Sequence, residues 1–81
     1  MTRQEIVESM VPTTLTHHST IVSILILIII KNNITDADVP DFITFLLKHT
    51  NKTIGEMDTD IEIGCKNGYT VEQQIAIITD L

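Results

Sequence analysis

The feature that most constrains this chain is an apolar run from Ile21 to Ile30, interrupted only by Ser23. A membrane-spanning helix needs roughly 20 apolar residues, whereas this run follows a polar stretch at 17–20 and ends at Lys31. A secretory signal would also need a basic start and a cleavage site of small residues. The sequence therefore predicts no membrane association and a cytoplasmic protein, in the host cytoplasm if the source is a virus.

Chain length and charge exclude several other classes of protein. Eighty-one residues suffice for one small domain, which we expect to span 1–81. Eleven acidic and five basic residues give a formal net charge of −6, whereas a nucleic-acid-binding surface is basic. A lone cysteine, Cys65, cannot form an internal disulfide. We therefore expect no nucleic-acid partner and no disulfide framework.

Several helix starts can be located from capping patterns. Thr2, Thr53 and Thr70 each precede a glutamate or glutamine by three positions, the pattern of a capping box. Asp38 predicts another start, because Pro40 then falls in the first turn, where proline is tolerated. The helix that follows Asp38 has an apolar stripe at helical spacing, formed by Val39, Phe42, Ile43, Leu46 and Leu47.

We assign the apolar run to a helix that begins after a cap at Thr13 or Thr14. The helix is expected to end near Lys31, because Asn32 or Asn33 suits the left-handed residue that terminates a helix. The alternative is a buried central strand, since isoleucine and valine favour strands. The run exceeds the usual five or six residues of a strand, which favours the helix.

Residues 51–68 permit two interpretations. Apolar side chains recur three and four positions apart, which predicts a short helix closed by Gly64. The alternative is a hairpin over 60–71 in which Asn67 and Gly68 form the tight turn. A lone hairpin is marginally stable without a third strand, so the helix is favoured.

The last segment predicts a helix from Thr70 to Leu81, in which Gln74 interrupts the apolar stripe. Together these patterns predict an all-α fold, a small bundle of four or five short helices. An α+β fold with the hairpin at 60–71 is the alternative.

No pattern in the chain indicates catalysis or metal binding. Asp58, Asp60 and Glu62 alternate as at the start of a calcium loop, but Ile63 and Tyr69 occupy the positions that require glycine and glutamate. The remaining candidate ligands lack the short spacings of zinc sites: His17, His18, His49 and Cys65. We therefore expect no enzyme activity, no catalytic residue, no metal and no cofactor.

On a helical wheel at about 100° per residue, the apolar run is only partly amphipathic. One face contains Val22, Leu25, Ile26 and Ile29, but the opposite face also contains the apolar residues Ile24 and Leu27. A helix that is apolar all round must be buried all round, either by the other helices or by a second chain. We predict an interface with another protein or in a homodimer, formed by Ser23, Ile24, Leu27 and Ile28.

The apolar run and the later segment Asp41-Phe42-Ile43-Thr44-Phe45-Leu46 resemble the first two helices of the AsiA family. AsiA proteins are small anti-sigma proteins of T-even-type phages, and the resemblance covers residues 20–47. The family is all-helical, dimerises through the first of these helices and uses the same surface to engage the C-terminal region of the primary sigma factor. The resemblance implies that five residues lie at or beside such a surface: Ile21, Val22, Leu25, Ile26 and Phe42.

We therefore expect a small non-enzymatic regulatory protein that binds another protein, such as a bacterial host factor, and inhibits or remodels it. A phage-type anti-sigma or anti-defence inhibitor is the favoured instance. One alternative is an oligomer that sequesters a ligand, in which His17, His18 or Lys31 contacts an anion. The other is a structural assembly subunit of a phage or secretion machine.

Overall fold

The computed structural model of the protein describes residues 2–79, which form an all-α bundle without any strand. Five helices follow one another along this part of the chain: α1 (Arg3–Met10), α2 (His18–Lys31), α3 (Val39–Thr50), α4 (Ile54–Asn67) and α5 (Val71–Thr79). A short 3₁₀ turn, Asp36–Asp38, leads into α3. The predicted extension of the last helix to Leu81 lies outside the described residues.

The three predicted capping boxes are confirmed at the starts of α1, α4 and α5. At Thr2 and Thr53 the hydroxyl accepts from the backbone N–H three residues later, while the glutamate there accepts from the threonine N–H. Thr70 makes the same reciprocal pair with Gln73, at 2.7 and 3.1 Å. Each box satisfies two backbone donors that a helix start otherwise leaves unpaired.

The helices α2, α3 and α4 end in the same way, at a residue with left-handed backbone angles. Asn33, Asn51 and Gly68 adopt left-handed backbone angles, with φ of 55°, 56° and 69°. In each case the next N–H reaches back to a carbonyl five residues earlier, as Tyr69 does to Gly64 at 2.9 Å. This arrangement pairs carbonyls that would otherwise be unsatisfied at a helix end, so each helix stops at a defined residue.

The start of α2 differs from the prediction. Thr13 and Thr14 lie in turns, and the helix begins only at His18. The backbone N–H of His17 donates to the Asp58 carboxylate on α4, at 2.8 Å. This partner lies 41 residues away in the sequence, so no local pattern could reveal it.

The predicted end of the helix within 51–68 is wrong. Gly64 does not close the helix but lies buried within it, and the helix continues to Asn67. Asn67 and Gly68 terminate α4 instead of turning a hairpin, because the positive φ of Gly68 also suits a helix terminus. The tight approach of Gln74 from α5 explains the glycine at position 64: a Cβ added there would overlap the Gln74 amide.

The core is built around α2, which packs against each of the other four helices. Six of its side chains are buried, and the other helices cover them with apolar side chains of their own. The α2 members of this core are Ile21, Val22, Ile24, Leu25, Ile28 and Ile29. The other four helices therefore bury most of the apolar surface of α2.

Two polar tethers connect elements outside the core. Lys52 donates to the Asp60 carboxylate at 2.9 Å and to the Ile77 carbonyl at 2.8 Å, so one ammonium joins the α3–α4 loop to α4 and to α5. His17 lies within hydrogen-bond distance of Glu62 on α4. That hydrogen bond holds the pKa of the Glu62 carboxyl below its usual 4.5, with a further contribution from the positive charge of Lys66.

We expect Gly64→Ala to destabilise the protein by about 1–3 kcal/mol, because the Gln74 amide would have to leave its place. Gly55→Ala is the matched control in the same helix. The nearest atom to its added Cβ lies at 3.7 Å, so it should be neutral or stabilise by up to about 1 kcal/mol. Urea denaturation of both variants measures the difference, and equal stabilities would contradict the packing of Gln74 on Gly64.

The lowered pKa of Glu62 predicts a loss of stability in acid. Because the folded-state pKa is below the unfolded one, the stabilisation is complete above about pH 4.5 and disappears as the pH falls through the folded value. Urea denaturation from about pH 6 to about pH 3 should therefore show a shallower decline for Glu62→Gln than for the wild type. Glu72→Gln, which removes an exposed acid at the start of α5, controls for the loss of one carboxylate.

Candidate functional site

One stripe of α2 remains uncovered by the other helices. The exposed residues of this stripe lie three and four positions apart: Thr20, Ser23, Leu27, Ile30 and Lys31. Leu27 is 47% exposed and Ile30 52% exposed, a large fraction for side chains of this type. Burying a fully exposed side chain of this type contributes roughly 1.5–3 kcal/mol, and about half of that can still be gained at each of these half-exposed residues.

A groove of about 360 Å³ opens beside the outer stripe, between α2, α4 and α5. Its floor consists of three buried residues, Ile24, Ile61 and Gln74. Its rim includes three exposed side chains with large apolar parts: Leu27 of α2, Tyr69 just before α5 and Val71 of α5. The groove and the outer stripe share Leu27, so they form one continuous surface.

The rim of the groove also carries small polar groups. The α2 side contributes three hydroxyls, those of Ser19, Thr20 and Ser23, and the α4 side contributes the exposed thiol of Cys65. An apolar concave surface with a few polar groups is the usual composition of a binding site. The groove is therefore the best candidate for a functional site in the described part of the chain.

Gln74 is the unusual residue of the groove floor. Its side chain is buried and packs on Gly64, and its amide nitrogen donates to the Ile61 carbonyl at 3.2 Å. The amide oxygen has no hydrogen-bond partner among residues 2–79. An unpaired buried acceptor costs about 1–3 kcal/mol, and a glycine inside a helix costs about 1 kcal/mol relative to alanine. Two destabilising features, the unpaired amide oxygen and the helix glycine, therefore meet at the Gln74 side chain.

The structure divides the predicted interface residues into two pairs. Ser23 and Leu27 are exposed, and both line the groove. Ile24 is only 4% exposed and Ile28 is likewise buried. The wheel placed Ile24 on the outward face, but α4 and α5 approach closely enough to cover it. An interface at Ser23 and Leu27 stays a prediction, while Ile24 and Ile28 are parts of the monomer core.

The residues implied by the AsiA resemblance lie mostly inside the protein. Ile21, Val22 and Leu25 are buried in the core, whereas Ile26 and Phe42 are half-buried and pack against it. Only the last two could touch a partner without rearrangement of the bundle. The outer stripe and the groove lie on a different side of α2 from Leu25.

Most residues of the groove could not be located from the sequence. Ile61, Tyr69 and Val71 come from the region in which helix and hairpin competed, so their position beside α2 could not be inferred. Val71 is an apolar residue at the start of α5, but the structure leaves it exposed. Gln74 gave the one usable signal, because it interrupted an otherwise apolar stripe.

The candidate ligands for anions and metals are not gathered in one place. Within residues 2–79 no three histidine, cysteine or acidic side chains come together as a metal site would require. His17 contacts Glu62, and the ring of His18 lies 3.1 Å from the Pro12 carbonyl. Lys31 lies at the far end of α2 from both histidines.

Comparison with known proteins provides no relative: no protein-family model, no curated protein and no solved structure matches this chain. Among the helices of residues 2–79, none combines the length and the apolar content needed to cross a membrane.

Replacement of Gln74 tests whether its amide oxygen is buried without a hydrogen-bond partner. Gln74→Met removes the unpaired oxygen at similar size, so we expect stability equal to or up to about 2 kcal/mol above that of the wild type. Gln74→Glu should lose several kcal/mol, because a carboxylate would be buried without a counter-charge. Urea denaturation measures both variants. A strongly destabilised Gln74→Met would mean that the amide is fully satisfied.

Proposed function

We propose that this protein is a small non-enzymatic regulator that binds another protein through the outer stripe of α2 and the adjoining groove. The observation that carries the proposal is the pair of half-exposed side chains Leu27 and Ile30 on the most apolar helix of the bundle. Contiguous exposed apolar surface on a small protein is typical of an interaction site. Inhibition or remodelling of the partner would follow from occupation of its surface, as in a phage-type anti-sigma or anti-defence protein.

The charge of the protein favours a basic partner. A net charge of −6 attracts positively charged surfaces and repels acidic ones. The outer stripe has one charged residue, Lys31 at its end, so its centre can be desolvated without burying a charge. An amphipathic helix with an apolar face and basic flanks suits both features.

A homodimer through the same stripe is part of the proposal. In a symmetric dimer Leu27 would be buried in both copies, and each contact would count twice. The dimer and the complex would then compete for one surface, so the partner would bind the monomer. Dissociation of the dimer would set the concentration at which the regulator acts.

The groove also supports a second candidate, an oligomer that sequesters a small ligand. Its volume of about 360 Å³ lies at the small end of the range that small-molecule sites occupy. A purified protein that releases a bound small molecule on heating would favour this candidate over protein binding.

Leu27→Glu should abolish both dimerisation and partner binding while the protein stays folded, because Leu27 is half-exposed and contributes little to the core. A charge at this position would have to be desolvated in any complex. Sedimentation equilibrium measures the dimer, and pull-down with mass spectrometry compares the proteins that wild type and variant retain. Circular dichroism should be unchanged.

Two matched variants control this experiment. Phe45→Glu places the same charge on α3, at a side chain that is 61% exposed, and should leave dimer and partner unaffected. Ile24→Glu should unfold the protein, because Ile24 is buried in the monomer. The proposal fails if the wild type is monomeric at high micromolar concentration and Leu27→Glu retains the same proteins as the wild type.

A further inference from the structure

The exposed side chains of the outer stripe change in size along α2. The N-terminal half exposes two small polar side chains, Thr20 and Ser23, and the C-terminal half exposes two large apolar ones, Leu27 and Ile30. A surface with the same order of sizes in the opposite direction would pack large side chains against small ones along the whole stripe. A second copy of this chain offers that surface when its α2 runs antiparallel to the first.

The match is best when the two-fold axis of such a pair passes between Ser23 and Leu27. These residues lie four positions apart and share one face of α2, so Leu27 of each copy then lies over the partner's Ser23. Ile30 likewise lies over the partner's Thr20. Because Thr20 and Ser23 both line the groove, the large side chains of one copy cover the groove of the other. A parallel pair would set Leu27 against Leu27 and leave both grooves open.

The charges around the stripe favour the same direction. The residues that line the groove are uncharged, and the charged residue of the outer stripe is Lys31 at its C-terminal end. A parallel pair would bring two Lys31 ammonium groups together, and like charges repel. In the antiparallel pair each Lys31 approaches the N-terminal end of the partner's α2. There the Glu62 carboxylate of α4 lies beside His17, and its side chain is 46% exposed.

We infer that two copies pair through the outer stripe with their α2 helices antiparallel, so that Leu27 of each copy covers the groove of the other beside Ser23. This inference rests on the proposed function, because it gives a geometry to the homodimer named there. Each groove is then closed by a side chain of the second copy. A foreign protein therefore reaches the groove only after the dimer dissociates.

Disulfide cross-linking distinguishes the two directions. Thr20→Cys and Ile30→Cys are prepared as two separate proteins, each with Cys65→Ser to remove the exposed native thiol. In the antiparallel pair, each new cysteine lies about 15 Å along the helix from the position it pairs with in the parallel alternative, since ten residues separate 20 from 30. A disulfide requires Cα atoms within about 7 Å. Under mild oxidation with diamide, we expect neither protein alone to cross-link and their mixture to give a covalent dimer.

Charge reversal tests the same geometry without new thiols. Lys31→Glu should weaken the dimer about tenfold, because two carboxylates would then face each other at each end of the interface. Lys31→Glu combined with Glu62→Lys should restore most of the affinity, since the opposite charges meet again. Lys48→Glu makes the same change in net charge at an exposed position on α3 and should leave the dimer unaffected. Sedimentation equilibrium measures the dimer, and circular dichroism verifies that each variant is folded.

Several results would overturn the inference. Cross-linking of Ile30→Cys with itself would show a parallel pair, and a mixture that does not cross-link would exclude the antiparallel one. A folded double charge variant that dimerises no better than Lys31→Glu would also contradict it, as would a wild type that is monomeric at high micromolar concentration. The proposed function is tested separately: if Leu27→Glu loses a protein that the wild type captures but the mixture does not cross-link, only the antiparallel geometry fails.

Discussion

The structure depends on the burial of one helix, α2, whose side chains are apolar on nearly every side. Helices of 8 to 14 residues are marginal on their own in water, so the four helices around α2 gain their stability mainly from packing on it. This explains why capping and termination are so regular: each short helix needs a defined start and end to present its apolar side to α2. The polar tethers from His17 and Lys52 then fix the loop before α2 and the end of α5 against α4.

Much of the fold could be predicted because its determinants are local. A capping box requires two side chains three positions apart, and the threonines at 2, 53 and 70 were therefore recognisable. The start of α2 was misplaced because its N-terminal partner, Asp58, comes from a distant helix. The end of α4 was misplaced for a similar reason. A glycine usually ends a helix, but Gly64 is retained inside one because Gln74 packs against it.

The site was predicted only in part, and the reason lies in what a helical wheel can represent. The wheel identifies which side chains of α2 share a face, and it placed Ser23 and Leu27 correctly on the exposed one. It contains no information about where neighbouring helices lie, so Ile24, at the edge of that face, was assigned to the surface although the chain covers it. The groove depends on the junction of α2, α4 and α5, and such a junction has no signature in any single segment.

The side chains that stabilise the bundle are largely distinct from those available to a partner. Leu25 and Ile29 stabilise the core, whereas Leu27 and Ile30 add little to folding because they are half in water. Gln74 belongs to both groups: a methionine there would fill the space over Gly64 without leaving an acceptor unpaired. Glutamine at this position leaves a buried acceptor unpaired, so we expect it to make the protein less stable than an apolar side chain of the same size would.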